Sequence, residues 1–357
     1  VTAAPLLAAS TDLLSGTTGV QIVAGLDAIR GHRGELEALA QRCGAPITAR
    51  STWTLANATT GSQPWAVLVR DPSGFLRAAT VLVEVRGAGR TSHIVTFAGS
   101  DLGHRGALLA DDKLWARRLG IALSRTLPAR TSGWAIELGP LDAAATALAG
   151  FQAGFPQLVP VEVDPIPMVR REPGLDEATD YLSPAMRRTL RKATNRLAND
   201  YRNFEVHFTR RQSEIRALLP ALAESHRNRD HDRGRSSDLD DDETRKTWHS
   251  RLTDLALDGL LEVATAQIDG SLAAHVIGIR DADTYRVLEG HFVTAWARYA
   301  PGRLVEAAVI QRMLDEPDMV ALDWMTSVAP ESLLATNAAA PMVMLRAGLG
   351  QRREEGR

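Results

Sequence analysis

Hydrophobic and polar positions divide the chain into short runs with distinct periods. Runs 65–70, 75–86 and 92–97 are rich in Val, Leu and Thr, and Asp71-Pro72-Ser73-Gly74 and Gly87-Ala88-Gly89 separate them. Apolar runs bounded by turn residues predict strands joined as an antiparallel meander. Residues 113–127 follow a helical period with Leu114, Leu119 and Leu123 on the core side, and 29–43 do the same through Leu36, Leu39 and Ala40. A buried strand at 134–138 and a short helix at 143–151 complete this half. Residues 1 to about 30 show no sustained period, and the proline-containing run 159–173 reads as a linker.

The second part opens with Ser183-Pro184, a helix-capping residue followed by proline in the first turn. The helix predicted at 186–201 keeps Met186, Leu190 and Leu197 for the core and carries Arg187, Arg188, Arg191, Lys192 and Arg196. A strand at 204–208 and a helix at 215–225 follow. Residues 226–246 are nearly all polar and predict a long exposed loop before a helix at 247–257. Strands are expected at 260–268, 271–279 and 284–293, with Asp269-Gly270 as a tight hairpin turn. A turn then feeds a helix that starts at Pro301 and runs through Leu304, Val305, Ala308, Val309 and Met313. A strand at 319–325 and an apolar segment at 338–348 end the pattern. The expected fold is α/β in the α+β sense: two halves, 1–165 and 166–357, each a mixed, largely antiparallel sheet flanked by helices.

Composition narrows the class. The chain has 357 residues, 45% hydrophobic and 24% charged, with formal net charge −2. That suits a soluble globular protein and carries no global field toward nucleic acid or membrane. One cysteine, Cys43, excludes an internal disulfide framework and a cysteine zinc cluster. No run approaches the roughly 18 apolar residues of a membrane span, and the first residues lack the pattern of a signal peptide. A cytoplasmic enzyme is the expectation.

The order strand, turn, helix, strand over 284–326 presents backbone N–H groups to a phosphate. In the turn Arg298-Tyr299-Ala300-Pro301-Gly302-Arg303-Leu304, glycine admits a ligand close to the main chain. Arg298, Arg303 and Arg312 make the neighbourhood positive. Walker, His-Glu-x-x-His and Gly-x-Ser-x-Gly patterns are missing from the sequence.

These residues carry a resemblance. The Arg-rich helix at 186–197, the strand ending in a hairpin at 259–270, and Tyr299-Ala300-Pro301-Gly302-Arg303-Leu304 resemble GNAT-superfamily acyltransferases of the tandem FemAB-like and CelD-like type. The turn is similar to their "ysPGrLL" segment, and Val320-Ala321-Leu322-Asp323-Trp324 to the strand after it, which usually ends in an acid. Gly99-Ser100-Asp101 with 134–141 resembles the matching N-terminal half. The Tyr-Lys pair common after the acidic strand is replaced by Thr326-Ser327-Val328-Ala329-Pro330.

The resemblance implies transfer of an acyl group to the amine of a small molecule, as in specialised-metabolite biosynthesis. The donor is expected to be acyl-CoA; aminoacyl-tRNA is the alternative, and a carrier-protein thioester is a further one. A non-catalytic GNAT-fold binding module is the reading from another class. An amine must lose a proton to attack, so a carboxylate or imidazole should stand near the acyl carbon. Glu289 and His291 alternate on one strand face with Tyr285, and Asp323 interrupts an apolar strand where burial is costly without a partner. These three are the expected catalytic residues. Arg298, Gly302, Arg303 and Leu304 are expected to hold the donor's phosphates. Arg187, Arg188, Arg191 and Lys192 would capture a polyanion such as tRNA, with Asp101 at the acceptor. His275 reads as a satisfied core histidine. The His and Asp residues from His226 to Asp242 read as a solvated or lid-like loop, and no metal is expected.

Overall fold

The computed structural model describes residues 19–57, 63–86, 93–99, 105–130, 135–325 and 333–348. In chain order the elements are β1 (Gly19–Ala24), α1 (Leu26–Arg30), α2 (Arg33–Arg42), α3 (Ser51–Ala56), β2 (Trp65–Arg70), β3 (Leu76–Arg86), β4 (His93–Phe97) and β5 (Leu109–Ala110). Next come α4 (Lys113–Arg130), β6 (Ala135–Asp142), α5 (Thr146–Gly154), β7 (Val159–Arg170), α6 (Pro184–Asn199), β8 (Phe204–Thr209), α7 (Gln212–Asp232) and α8 (Asp242–Leu257). The chain closes with β9 (Leu261–Ile268), β10 (Ser271–Asp281), β11 (Thr284–Phe292), α9 (Pro301–Asp315), β12 (Ala321–Asp323) and β13 (Ala338–Gly348).

Two compact units result, Val1–Asp164 with the segment from Pro341 on, and Pro165–Ala340. The second is therefore not an uninterrupted 166–357. Residues 342–348 of β13 pair antiparallel with β6, inside the first unit.

In the first unit the strands run in the order β1-β2-β3-β4-β6-β13, with β5 beside β3. The expected meander is present: β2, β3 and β4 pair antiparallel in sequence. β2 is apolar from Trp65 to Val69, and both faces of that run are covered. Trp65, Val67 and Val69 pack with Leu119, Leu123 and Phe151, whereas Ala66 and Leu68 pack with Leu36 and Leu39. Leu114, expected on the core side of α4, is 54% exposed. Helices α4 and α5 meet backbone to backbone: a Cβ on Gly120 would lie 2.3 Å from the Phe151 carbonyl oxygen, and one on Gly154 2.0 Å from that of Arg117. Only glycine permits that approach.

In the second unit the order is β7-β12-β11-β10-β9-β8, with β11 and β12 parallel and the other pairs antiparallel. Ser183 caps α6, its side chain accepting from Met186 N at 3.2 Å. Asp269 and Gly270 both adopt positive φ in the β9–β10 turn, as the hairpin required. Helix α9 covers one face, where Val305, Val309, Ile310 and Met313 pack with Val276, Tyr285 and Val287.

Two expectations fail locally. The run 159–173 is largely strand rather than linker: Met168, Val169 and Arg170 pair with β12, and the carbonyl of Pro167 still accepts from Trp324 N at 3.3 Å. Residues 226–246 are the end of α7, a 3-10 turn and the start of α8, not a long loop. The polar residues there are caps and ion pairs. Ser237 and Asp240 form a capping box, Asp241 caps α8, and Asp240 binds Arg227 at 2.9 Å and His231 at 2.8 Å. Polarity signalled satisfied helix ends rather than solvated coil.

Candidate active site

A register shift in β11 aims the central groups. Ile277 pairs with Glu289, yet Gly278 pairs with Val287, so Leu288 is the extra residue of a β-bulge. Residues directly opposite share a face. Glu289 and His291 therefore turn to the face of Ile277 and His275, while Val287 and Tyr285 stay under α9. Tyr285 does not share the face of Glu289 and His291, as simple alternation implied; the bulge inverts the alternation between them.

On that face the two residues join side chains from β10, α7 and α8. Trp248 Nε1 donates to Glu289 Oε2 at 3.1 Å. Glu289 Oε1 lies 3.7 Å from His226 Nδ1 and 3.9 Å from His275 Nε2. The His226 and His291 rings stack at 4.1 Å and 23°, and His275 is tilted against His291 at 5.5 Å. Asp230 Oδ2 is 3.5 Å from His226 Nε2. His275 is fully buried, and neither ring nitrogen makes a hydrogen bond among the described residues. It belongs to the cluster rather than being a satisfied core histidine.

These contacts separate the groups electrostatically. Burial pushes the Glu289 carboxyl up, but the flanking imidazoles outweigh it and hold it well below the usual carboxylate range. Burial, with the neighbouring His226 and His275, pushes His291 down to about 4. For His226 burial acts downward, and Glu289 and Asp230 overcome it, so its pKa is raised. Near neutral pH this is an ionised carboxylate beside an imidazole, His291, whose lone pair is unprotonated. His226, Glu289 and His291 also offer ligand atoms within 4.8 Å of one another, a spacing a divalent cation would fit.

A cavity of about 510 Å³ opens at the C-terminal end of β11, between the end of α7 and the start of α9. His291, Phe292, Arg229, Gly302, Arg303 and Glu306 are among its walls. The structure thus brings His291 to the expected phosphate turn. Gly302 is close to β11: a Cβ there would meet the Phe292 ring at 3.4 Å. The N–H groups of Arg303 and Leu304 already donate to the Ala300 carbonyl, at 3.0 and 3.2 Å, so they are not free phosphate donors. The Arg303 side chain pairs with Glu306 at 2.8 Å, and burial raises the pKa of that carboxyl against the pull of Arg303. Arg298 pairs with Asp200 at 2.8 Å and is not among the cavity walls.

Asp323 stands apart from this cleft. It is fully buried, paired with Arg286, which also binds Asp281 at 2.7 Å, and it accepts from Met325 N at 2.8 Å. A carboxylate engaged in this way anchors the strand. Arg187 donates to the Leu182 and Thr179 carbonyls at 2.7 and 3.3 Å, so it ties α6 to the preceding turn. Arg188, Arg191 and Lys192 are exposed on α6. Asp101, His104 and the 326–330 segment lie outside the described residues.

Sequence reasoning placed His226 in a solvated or lid-like loop and passed over Trp248, Arg229 and Glu306. The signal for His226 was its spacing: four residues after Leu222 and seven after Leu219, both buried on α7, it continues their stripe.

Residues 184–330 match the family model described as "Acetyltransferase (GNAT) domain". No curated protein sequence matches the chain. Among solved structures, FemX superposes with a TM-score of 0.64 at 10% identity, covering 89% of this chain and 96% of its own. The C-terminal domain (DUF2156) of a putative lysylphosphatidylglycerol synthetase from Agrobacterium fabrum gives 0.52 at 11%, covering 89% and 92%. L-PGS from Bacillus licheniformis gives 0.50 at 10%, covering 89% and 93%. Residues 184–330 thus match a GNAT acetyltransferase domain, and the chain has the fold of FemX, a FemAB-like GNAT fold.

Proposed function

We propose that the protein is an N-acyltransferase that moves an acyl group from an acyl-CoA-type thioester to the amine of a small molecule. The observation that carries this reading is the single cleft joining His291 to the Gly302–Arg303 turn, within a GNAT domain. The amine nitrogen attacks the thioester carbonyl carbon, and the C–N bond forms as the C–S bond breaks. His291, neutral at pH 7, takes the proton lost by the amine and returns it to the departing thiolate. Ionised Glu289 compensates the transient imidazolium, and Trp248 holds that carboxylate in place. The Gly302 N–H and the Arg303 guanidinium take the donor's phosphates; Arg298 acts at the entrance at most. Asp323 is assigned to the scaffold.

A second reading keeps the chemistry and replaces the donor with aminoacyl-tRNA. It is favoured by Arg188, Arg191 and Lys192, an exposed cationic face on α6 for which no ion pair is found among the described residues. A contact through several cations weakens steeply with salt.

The test combines binding and turnover. CoA and a tRNA pool are titrated at low and high salt, and acetyl-CoA is incubated with mixed primary amines, with N-acetyl products read by mass spectrometry. Salt-tolerant CoA binding that Gly302→Asp abolishes, with acetylated product, supports the first reading. Salt-sensitive tRNA binding without CoA binding selects the second. Binding of neither ligand leaves the non-catalytic module.

A further inference from the structure

The cleft holds more positive charge than a donor turn explains. Its walls carry Arg229, Arg233 and Arg303 against one carboxylate, Glu306, in a chain whose formal net charge is −2. Glu306 is paired with Arg303. Arg229 and Arg233 form no ion pair among the described residues, and Asp230 on the same helix is engaged by Arg235 at 2.8 Å and lies beside His226. The Arg229 guanidinium is instead held over the Phe292 ring, 4.1 Å from its centroid. Burial, and then the charge of Arg233, act against the Arg229 cation and lower its pKa. Two guanidinium groups placed side by side in a cleft, one stacked on a ring, make a site for an anion.

Helix geometry relates this pair to the chemistry. His226 and Arg229 lie three residues apart on α7, and Arg233, four residues further, caps its C-terminal end, so the three continue along one side of the helix. At 1.5 Å per residue the two arginines lie roughly 5 and 10 Å along the axis from His226, whose ring stacks on His291. We infer that the amine acceptor carries an anionic group, a carboxylate or a phosphate, roughly 5–10 Å from its reacting nitrogen, and that Arg229 and Arg233 bind it. This rests on the acyltransferase reading, with the donor's phosphates at the Gly302–Arg303 turn.

The experiment measures equilibrium binding by calorimetry and needs no turnover. The probes are matched amines, 5-aminopentanoate against 5-aminopentanamide, and phosphoethanolamine against ethanolamine. Wild-type protein should bind at least one anionic member about tenfold or more tightly than its neutral partner. The pair that discriminates identifies carboxylate or phosphate. In R229Q/R233Q that preference should collapse while CoA affinity stays unchanged. Should the double variant fail to fold, R233Q alone, at an exposed position, should reduce the preference. Equal binding of both members, no binding of either anionic amine, or a preference that survives in the variants would overturn the inference. So would lost CoA affinity with the preference intact, which would assign the arginines to the donor. If the preference behaves as expected but no acyl transfer occurs from acetyl-CoA, the anion site stands and the donor assignment fails.

Discussion

The rings of His226 and His291 stack at 4.1 Å, although one comes from the last turns of a helix and the other from the end of a strand. Their pKa values move in opposite directions, raised for His226 and down to about 4 for His291. Part of the His291 depression comes from the charge of its neighbour. Replacing that neighbour by a ring without charge, His226→Phe, should move the His291 value upward. Proton NMR titration of the imidazole reads it directly; an unmoved value would mean that the charge of His226 plays no part.

The same depression has a consequence for stability. A histidine protonates at about 6.5 when unfolded and His291 at about 4 when folded, so between those values the unfolded chain binds more protons. His291 therefore costs nothing above pH 6.5, and stability falls as pH drops toward 4. The raised value of His226 acts in the other sense, favouring the folded state below 6.5 and losing that contribution as pH rises through its folded value. His291→Gln should remove the first effect and lessen the acid-side loss by about 2–3 kcal/mol. Urea midpoints at pH 7 and pH 4.5 check this, and equal losses in both proteins would contradict it.

Glu289→Gln preserves shape and an acceptor for Trp248 but removes the charge that compensates the imidazolium. Activity of the folded protein should fall about a hundredfold, mainly in kcat. A wild-type kcat in a folded E289Q protein would remove Glu289 from the mechanism.

Asp323 predicts the reverse pattern. Asp323→Ala leaves Arg286 buried with part of its charge unmatched, costing about 3–5 kcal/mol. The fraction that folds at low temperature should keep its kcat. A stable but inactive D323A protein would return Asp323 to the catalytic residues.

On the acid–base reading, dialysis against EDTA should leave acyl transfer at its original rate, because His291 acts through a proton and Glu289 through its charge. Activity that is lost on chelation and restored by zinc would make these residues metal ligands, for which their 4.8 Å spacing is adequate.

The strands and main helices were legible because their apolar periods are long and their turns carry specific residues. β2 to β4 and the Asp269-Gly270 hairpin show this. Glu289, His291 and Gly302 stood out in the sequence as candidates because polar or glycine residues interrupt those periods next to a phosphate-type turn. The rest depended on three-dimensional information. Nothing in the order of residues around Leu288 marks a bulge, and without it the alternation places Tyr285 on the wrong side. His226 was hidden by its polar neighbours, whose capping role appears only once Ser237, Asp240 and Asp241 are seen to close helix ends. Asp323 looked reactive because its partner Arg286 lies 37 residues away.

The strand β13 bears on how the molecule is made. Leu345, fully buried, belongs to the core of the first unit, and it reaches β6 from more than two hundred residues further along the chain. A ribosome delivers residues at roughly 5–20 per second. During synthesis of the second unit, the edge of β6 that β13 will occupy therefore waits roughly 10–40 seconds for its partner. A nascent chain is exposed at that edge to association with other unpaired strands. Cutting the chain before Pro341 would make that interval permanent, so damage at the C-terminus should appear as aggregation of the N-terminal unit.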